Sequence, residues 1–345
     1  MRVSLKFAGQ ALNVLQNFII FLNKIFKQMK TKYYIITTIF FILSTSLLAQ
    51  QDLLYTQFMY NKLSLNPAYA GNDDALCFTG IVRDQWTGFD GSPKAQAFSV
   101  NFPRLGKVGL GLNVSRNTIG VNQKLTFEGV YAYRFKIDEA YMSMGMSFSG
   151  RMYKMDFSAP GIKLIYPFYA DEAIEQGIYE TKVFNVGFGT YYSSNRFYLG
   201  ISVPRLIRAD IDIKPGRKKS IEVRHVYLMT GGAMDLRSNL VLMPQMLIRW
   251  AENSPYNVDL NLGLLFYDRF YLALTARTGG ASDSWFESID FLMGFHLNKK
   301  LFMAAAYDVT LSPLRYYENG SLEVLLQYCL GKKDKPIYII NPRFF

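Results

Sequence analysis

The sequence predicts a closed, antiparallel transmembrane β-barrel of about 14 strands. First, many stretches alternate in character: in residues 142–149 every even position is large and apolar, and every odd position is small or polar. A strand shows alternate side chains to opposite faces, and a membrane barrel turns its apolar face to lipid. Second, the connections between these stretches run alternately long and short. Third, the chain has 24 Tyr and 27 Phe, while charged residues make up only 19%, below the roughly 25% of soluble domains.

The N-terminus predicts a targeting segment that follows extra sequence. A basic start at Met29 leads into an apolar core, and a cleavage site follows Ala49, with Leu47 at the −3 position. We therefore expect residues 1–28 to be an upstream extension from a mis-annotated start, and residues 29–49 to be a signal peptide. The alternative is an amphipathic helix on a membrane surface.

The remaining chain offers no helical route across a membrane and no nucleic-acid surface. No stretch after residue 50 has the roughly 20 apolar residues that a transmembrane helix needs, so a membrane crossing would use strands. The formal net charge is +11, but residues 1–49 hold basic and no acidic residues, so the mature chain is only mildly basic. A basic stripe with interleaved aromatic residues is absent, so we expect no nucleic-acid partner.

The alternating stretches give the strands in order. We expect them near residues 75–86, 94–104, 107–117, 123–137, 140–154, 182–192, 195–204, 221–236, 239–250, 256–267, 269–279, 285–298, 300–310 and 320–330.

The connections separate into two sets by their place in this order. After even-numbered strands they are tight, at residues 105–106, 138–139, 193–194, 237–238, 268 and 299. After odd-numbered strands they are longer, at residues 87–93, 118–122, 155–181, 205–220, 251–255, 280–284 and 311–319. Bacterial outer-membrane barrels have short periplasmic turns and long outer loops, which predicts that both termini are periplasmic. The alternative, a soluble all-β fold, has no reason to keep its long loops at one end.

The mature chain then divides into a barrel and two tails. Residues 74–331 form the barrel, residues 50–73 a periplasmic N-terminal segment or plug, and residues 332–345 a periplasmic C-terminal tail. Each tail is long enough to plug the lumen from below or to dock a periplasmic partner. The alternative for the C-terminal tail is disorder.

Two strings near the start of the mature chain carry a family resemblance. The first reads NPAYAG and the second RDQWTGFDGSP, and their characteristic residues are Asn66, Pro67, Ala68, Tyr69, Gly71, Arg83, Gln85, Trp86, Gly88, Phe89, Gly91 and Pro93. With weaker matches at residues 131–134, 184–189, 197–204 and 306–308, they resemble the PorP/SprF family of Bacteroidetes outer-membrane proteins across the whole mature chain. Residues 320–323 read Gly-Ser-Leu-Glu, where the family usually has Ser-His-Glu.

The resemblance implies a role in type IX secretion or gliding motility. Members of the family are outer-membrane barrels tied to export and surface attachment of large secreted proteins, including adhesins, that carry a C-terminal sorting domain. They are also linked to a periplasmic peptidoglycan-binding protein and to the lipoprotein ring of the secretion machinery. Outer-membrane lipid and lipopolysaccharide would surround the barrel.

The residues give no sign of catalysis. The only histidines, His225 and His296, lie in different expected strands, and the spacings of metalloproteases, nucleotide-binding loops and serine hydrolases are missing. We expect no enzyme, no cofactor and no metal site. The two histidines are better interpreted as lumen or interface residues.

The two cysteines lie in the first and last expected strands. Closure makes those strands neighbours and places both cysteines near the periplasmic rim. Alternation along each strand turns Cys77 and Cys329 toward the lumen. A disulfide across this seam is a hypothesis that the periplasm permits. The alternative is a pair of buried, small hydrophobic residues.

Charged residues suggest one lumen cluster and two outer loops. Arg83, Asp84 and Trp86 could meet Arg151 in the lumen, or simply be hydrated lumen residues. A basic loop holds Arg205, Arg208, Lys214, Arg217, Lys218 and Lys219, and residues 156–181 are mainly acidic. Both loops are candidate docking surfaces for a secreted adhesin; the alternative for the basic loop is contact with lipid phosphate.

Two rival functions remain at this stage. A transporter or porin for small solutes would need a continuous path through the lumen. A structural anchor between barrel and cell wall would depend on the tails more than on the loops.

Overall fold

The computed structural model describes residues 55–157, 178–211, 221–252, 254–279 and 286–331, and these residues form one antiparallel sheet. Its first strands are β1 (Leu76–Asp84), β2 (Lys94–Asn101), β3 (Val108–Ile119), β4 (Asn122–Ile137), β5 (Ala140–Asp156), β6 (Ile178–Ser193) and β7 (Phe197–Val203). The others are β8 (His225–Gly232), β9 (Met234–Arg237), β10 (Leu240–Ala251), β11 (Asn257–Phe266), β12 (Phe270–Thr278), β13 (Ser288–His296), β14 (Leu301–Thr310) and β15 (Ser321–Leu330).

The sheet closes on itself. Apart from β8 and β9, which do not pair with each other, each strand pairs with its neighbours in the chain. In addition, β1 pairs with β15, and β10 pairs with both β8 and β11. Because β8 and β9 follow one another and both pair with β10, they form one interrupted strand. The predicted closed antiparallel barrel of 14 strands is confirmed.

Two local predictions are wrong. The strand expected at residues 221–236 begins only at His225 and is interrupted at Ala233, where the pairing with β10 passes from β8 to β9. The longer connection expected at residues 118–122 is a two-residue turn, because Ile119 and Asn122 pair directly. The glycine in this turn, Gly120, has a positive φ of 55°, which suits a tight hairpin turn.

The two ends of the barrel remain distinct. We call one the short-turn end, with turns at residues 138–139, 194–196 and 238–239, and the other the long-loop end, with connections at residues 85–93 and 311–320. Within the described residues, the structure contains no helix with the length and apolar character needed to cross a membrane.

Alternation divides an apolar outer face from a polar interior. On β5, Met146 and Phe148 are 45% and 59% exposed, whereas their neighbours Ser147 and Ser149 are buried in the interior. Phe184 on β6 is 80% exposed. Large apolar side chains exposed around the sheet in this way match the lipid-facing band of a membrane barrel.

Candidate functional site in the barrel lumen

Residues 55–73, which we call the lumen segment, lie inside the barrel. They form three short 3₁₀ turns, at Phe58–Tyr60, Lys62–Ser64 and Pro67–Tyr69. Side chains along the segment, including Phe58, Leu63 and Ala68, are buried in one apolar core with residues of the barrel wall. The lumen around the segment is therefore filled by the protein's own chain.

Asn66 fixes the third turn and joins it to the wall. Its side-chain oxygen accepts from the amide of Ala68 at 2.9 Å, and Pro67 occupies the first position of the turn, as is usual for a capped start. Its side-chain nitrogen donates to the carbonyl oxygens of Thr190 (2.9 Å) on β6 and Ile201 (3.4 Å) on β7. This one buried side chain thus satisfies the local turn and bridges two strands.

Glycines let the segment lie directly against one side of the barrel. A Cβ atom at Gly145 on β5 would collide with the backbone of Pro67 and Ala68, and one at Gly109 on β3 with the carbonyl of Ala70. The lumen-facing glycines that would meet the segment, which we call the glycine wall, are Gly109, Gly111, Gly145, Gly189 and Gly200. The close approach is possible only because these positions have no side chain.

The other side of the lumen is strongly charged. Seven ionisable side chains, buried and joined by ion pairs, form what we call the lumen ion cluster: Arg83, Arg249, Asp259, Arg277, Asp290, Asp308 and Glu323. Arg277 lies at its centre, 3.1 Å from Asp259, 3.4 Å from Asp290 and 3.5 Å from Asp308. Buried charges are tolerated only when paired in this way.

The upstream end of the lumen segment binds this cluster. The amides of Thr56 and Gln57 each donate to a different carboxylate oxygen of Glu323, both at 2.9 Å. The Thr56 hydroxyl donates to Asp308 at 2.9 Å and accepts from Arg83 at 2.9 Å. Because Arg83 also pairs with both carboxylates, the chain and the charges form one hydrogen-bonded unit.

A second, separate ion group lies near the long-loop end, on β5 and the connection at residues 204–224. Glu222 pairs with Arg151 and lies 3.6 Å from Arg205, and the hydroxyl of Tyr153 donates to it at 2.6 Å. Burial alone would raise the pKa of the Glu222 carboxyl, but the guanidinium groups of Arg151 and Arg205 outweigh it and hold this pKa below its usual range.

A cavity of about 20 Å³ lies between Tyr55 and Phe58 on the segment and Tyr227, Leu247 and Arg249 on the wall. This volume holds about one water molecule.

A family model for type IX secretion system membrane proteins PorP/SprF matches residues 47–328. The chain belongs to the PorP/SprF family. No curated protein matches the chain.

Solved barrels resemble this PorP/SprF chain only distantly. The outer membrane protein Omp33 of Acinetobacter baumannii is 7% identical, with a TM-score of 0.43, over 75% of this chain and 100% of that chain. The toluene transporter TbuX of Ralstonia pickettii is 10% identical, with a TM-score of 0.42, over 79% of this chain and 93% of its own. A FadL homologue of Pseudomonas aeruginosa is 12% identical, with a TM-score of 0.40 and the same coverage.

The first PorP/SprF motif, residues 66–71, forms the downstream half of the lumen segment. Asn66, Pro67 and Ala68 contact the glycine wall as described above. Tyr69 is buried and its hydroxyl donates to Asp73 at 2.8 Å, while the amide of Gly71 donates to Asn101 at 2.7 Å.

The second PorP/SprF motif, residues 83–93, runs from the lumen ion cluster into the connection between β1 and β2 at the long-loop end. Arg83 belongs to the cluster. Gln85 is buried, and its backbone N–H donates to the carbonyl of Pro93 at 2.9 Å. The amide of Trp86 donates to the Ser321 hydroxyl at 3.2 Å, and the loop carries Phe89 exposed at its surface. Two further motif residues, Gly88 and Gly91, have positive φ angles of 88° and 76°.

The expected cluster of Arg83, Asp84, Trp86 and Arg151 is wrong. Arg83 and Arg151 belong to two different ion groups, and Asp84 points outward to Lys94 at 3.5 Å. Alternation along each strand told which side chains face inward, but the stagger between strands decides which of them meet.

The candidate docking loop is described only in part. Arg205 is buried beside Glu222 and Arg208 pairs with Glu252, so the structure does not bring these two arginines together on one open surface. The other four predicted residues lie outside the described residues: Lys214, Arg217, Lys218 and Lys219.

The cysteines and histidines occupy separate places. Cys77 and Cys329 lie directly opposite each other on β1 and β15 and are joined by a disulfide, with Cα atoms 4.0 Å apart; this is the pair expected from closure. His225 lies 3.0 Å from the carbonyl of Val223, whereas the His296 ring packs on Phe302. Among the described residues no group of three potential metal ligands comes together.

Sequence reasoning missed the glycine wall and most of the lumen ion cluster. The small residues on β5 were recognised only as the inward side of an alternating strand. Five members of the cluster, Arg249, Asp259, Arg277, Asp290 and Asp308, come one each from β10 to β14. The sequence does carry a sign of this cluster: each of these strands has a charged residue near its long-loop end, on the face that points inward.

Proposed function

We propose that this PorP/SprF protein is a non-enzymatic outer-membrane component of the type IX secretion and gliding machinery. Its role is to support the export and surface attachment of secreted, adhesin-like proteins with a C-terminal sorting domain. Membership of the family supports the assignment to this machinery. The contents of the lumen support a role in holding a partner.

The observation that carries the mode of action is the filled lumen. A porin or solute transporter needs a continuous water-lined path. Here the lumen segment runs between the glycine wall and the lumen ion cluster, and the cavity between Tyr55 and Arg249 has a volume of only about 20 Å³. A barrel filled in this way acts through what it holds at its ends, so we favour a holding role over the conduction of small solutes.

The proposed partners differ between the two ends. Outer-membrane lipid and lipopolysaccharide surround the barrel, and the exported protein docks at the long loops. A periplasmic peptidoglycan-binding protein and the lipoprotein ring of the machinery dock at the short-turn end. This arrangement assumes that the long loops face the cell exterior, as in other outer-membrane barrels.

Affinity purification tests the proposal. The tagged protein would be extracted from the outer membrane in mild detergent, and the proteins that accompany it identified by mass spectrometry. We expect a large secreted protein with a C-terminal sorting domain, or components of the periplasmic ring. Recovery of the barrel alone, while another component of the machinery captures its partners in parallel, would contradict the proposal and favour a solute channel.

A matched pair of variants sharpens the same experiment. Changing Lys218 and Lys219 to Ser removes charge from the basic outer loop, whereas changing Lys136 and Arg237 to Ser removes the same charge at the short-turn end. We expect the first pair to reduce recovery of the exported protein and the second to leave it unchanged. Equal losses from both pairs would contradict docking at the long loops.

A further inference from the structure

The lumen segment crosses the barrel from one end to the other. Near its start, Thr56 and Gln57 bind Glu323, the third residue of β15, which directly follows the long loop at residues 311–320. Thr56 also binds Arg83, the residue before the last of β1. The upstream part of the segment therefore lies at the long-loop end.

Contacts further along the segment follow the strands toward the other end. The carbonyl of Tyr60 accepts from Gln327 at 3.4 Å, four residues further along β15 than Glu323. The amide of Gly71 donates to Asn101, the last residue of β2, at 2.7 Å. Asp74 then pairs with Arg104 at 3.0 Å in the connection between β2 and β3, so the segment ends at the short-turn end.

Tyr55, the first described residue of the lumen segment, lies at the long-loop end. Thr56 and Gln57 are fully buried, while Tyr55 before them is partly exposed. The cavity beside Tyr55, of about 20 Å³, is far too small for a second strand of chain.

We infer that the barrel presents its two chain ends on opposite sides. The chain upstream of Tyr55 leaves at the long-loop end, and the chain after β15 leaves at the short-turn end, next to Cys77. This replaces the expectation that both termini lie on the periplasmic side. It also assigns partners, an assignment that rests on the proposed function: the N-terminal end meets the exported protein, and the basic C-terminal tail meets the periplasmic machinery.

Single-cysteine labelling tests this topology in whole cells. The chain has two cysteines and both are in the disulfide, so an added cysteine is the one reactive thiol. The variants Asp52→Cys and Lys333→Cys report the two chain ends. Asp90→Cys marks the long-loop end, and Glu139→Cys marks the short-turn end, because both of these residues are exposed.

A membrane-impermeant maleimide is added to intact cells and to cells with a permeabilised outer membrane. We expect D52C to label to the same extent as D90C under both conditions, and K333C to follow E139C. Labelling of D52C together with E139C would overturn the inference. So would labelling of D52C only after denaturation, because the upstream chain would then remain inside the lumen.

The labelling result is independent of the secretion role. It compares each chain end with a reference site on the same barrel, so it holds whichever side the long loops face. A failure of the affinity purification would remove the partner assignment and leave this topology standing. A failure of the labelling pattern would remove the topology and leave the secretion role standing.

Discussion

The two sides of the lumen hold the same segment by different means. The glycine wall, on β3, β5, β6 and β7, contacts Leu63, Asn66, Pro67, Ala68 and Ala70 through bare backbone. The lumen ion cluster, on β1 and β10 to β15, contacts Thr56 and Gln57 through charged side chains. Close packing against glycines thus distinguishes the downstream half of the segment, and contact with charged side chains distinguishes the upstream half.

This difference predicts different responses to substitution. The glycine wall is damaged by an added side chain, since the close-packed interior has no space for the new atoms. The lumen ion cluster is damaged when one charged partner is removed, since the opposite charges that it balanced remain buried without it. The following substitutions test this contrast, from the largest expected effect to the smallest.

Removing Arg277 breaks the charged side most severely. The Arg277→Leu variant leaves Asp259, Asp290 and Asp308 without their shared cation, and we expect a loss of about 3–5 kcal/mol in the free energy of unfolding. The measurement is the urea midpoint of barrels refolded into lipid vesicles. The control is Arg208→Leu, which removes the half-exposed ion pair between Arg208 and Glu252. This variant should lose less than about 1 kcal/mol. Equal effects would show that the buried cluster has no special role.

Adding volume at Gly145 breaks the glycine wall. The Gly145→Val side chain would collide with the backbone of Pro67 and Ala68, and we expect a loss of about 2–3 kcal/mol. Gly129→Val is the matched control, because a Cβ atom there meets nothing within 4 Å. The same urea titration compares the two variants. A Gly145→Val barrel as stable as the Gly129→Val barrel would show that the segment does not rest on this wall.

The disulfide belongs to neither side and tests the seam alone. It links β1 and β15, which stay paired along their length without it. We therefore expect the double variant Cys77→Ser and Cys329→Ser to lose about 2 kcal/mol, the low end of the usual range for a disulfide. Reducing agent should destabilise the native barrel equally and leave the double variant unchanged. Two free thiols in the oxidised, denatured protein, detected by thiol labelling, would show that the bond does not form.

Asn66 tests the contact of the segment with β6 and β7. The Asn66→Ala variant loses the cap on Ala68 and the bonds to Thr190 and Ile201, and we expect a cost of about 1–2 kcal/mol in the urea titration. The control is Asn195→Ala, in an exposed turn, which should change stability by less than about 0.5 kcal/mol. If the Asn66→Ala barrel is as stable as the native barrel, Asn66 does not hold the lumen segment against β6 and β7.

The barrel itself could be predicted from the sequence because its signals are local. Alternation along residues such as those of β5 gives both the strand and the face that each side chain occupies. Closure of the barrel makes the first and last strands neighbours. This predicted that Cys77 lies beside Cys329. The interruption at Ala233 could not be predicted, because it depends on how β8 and β9 share one partner strand.

The contents of the lumen could not be predicted for a physical reason. Which inward residues meet depends on the stagger between strands, and no residue states that stagger. Alternation therefore predicted that Arg83 and Arg151 could meet, whereas each has its own carboxylate partners. The path of residues 55–73 was equally hidden, because their bonds reach residues more than 200 positions away.

Conductance across a planar lipid bilayer tests the central claim most directly. The claim is that the lumen segment closes the barrel, so that the protein holds a partner instead of conducting solutes. Purified native protein inserted into the bilayer should give no steady ion current above that of lipid alone. Stable, open channels from the native protein, in a preparation where the disulfide is intact, would contradict the claim and favour a solute channel.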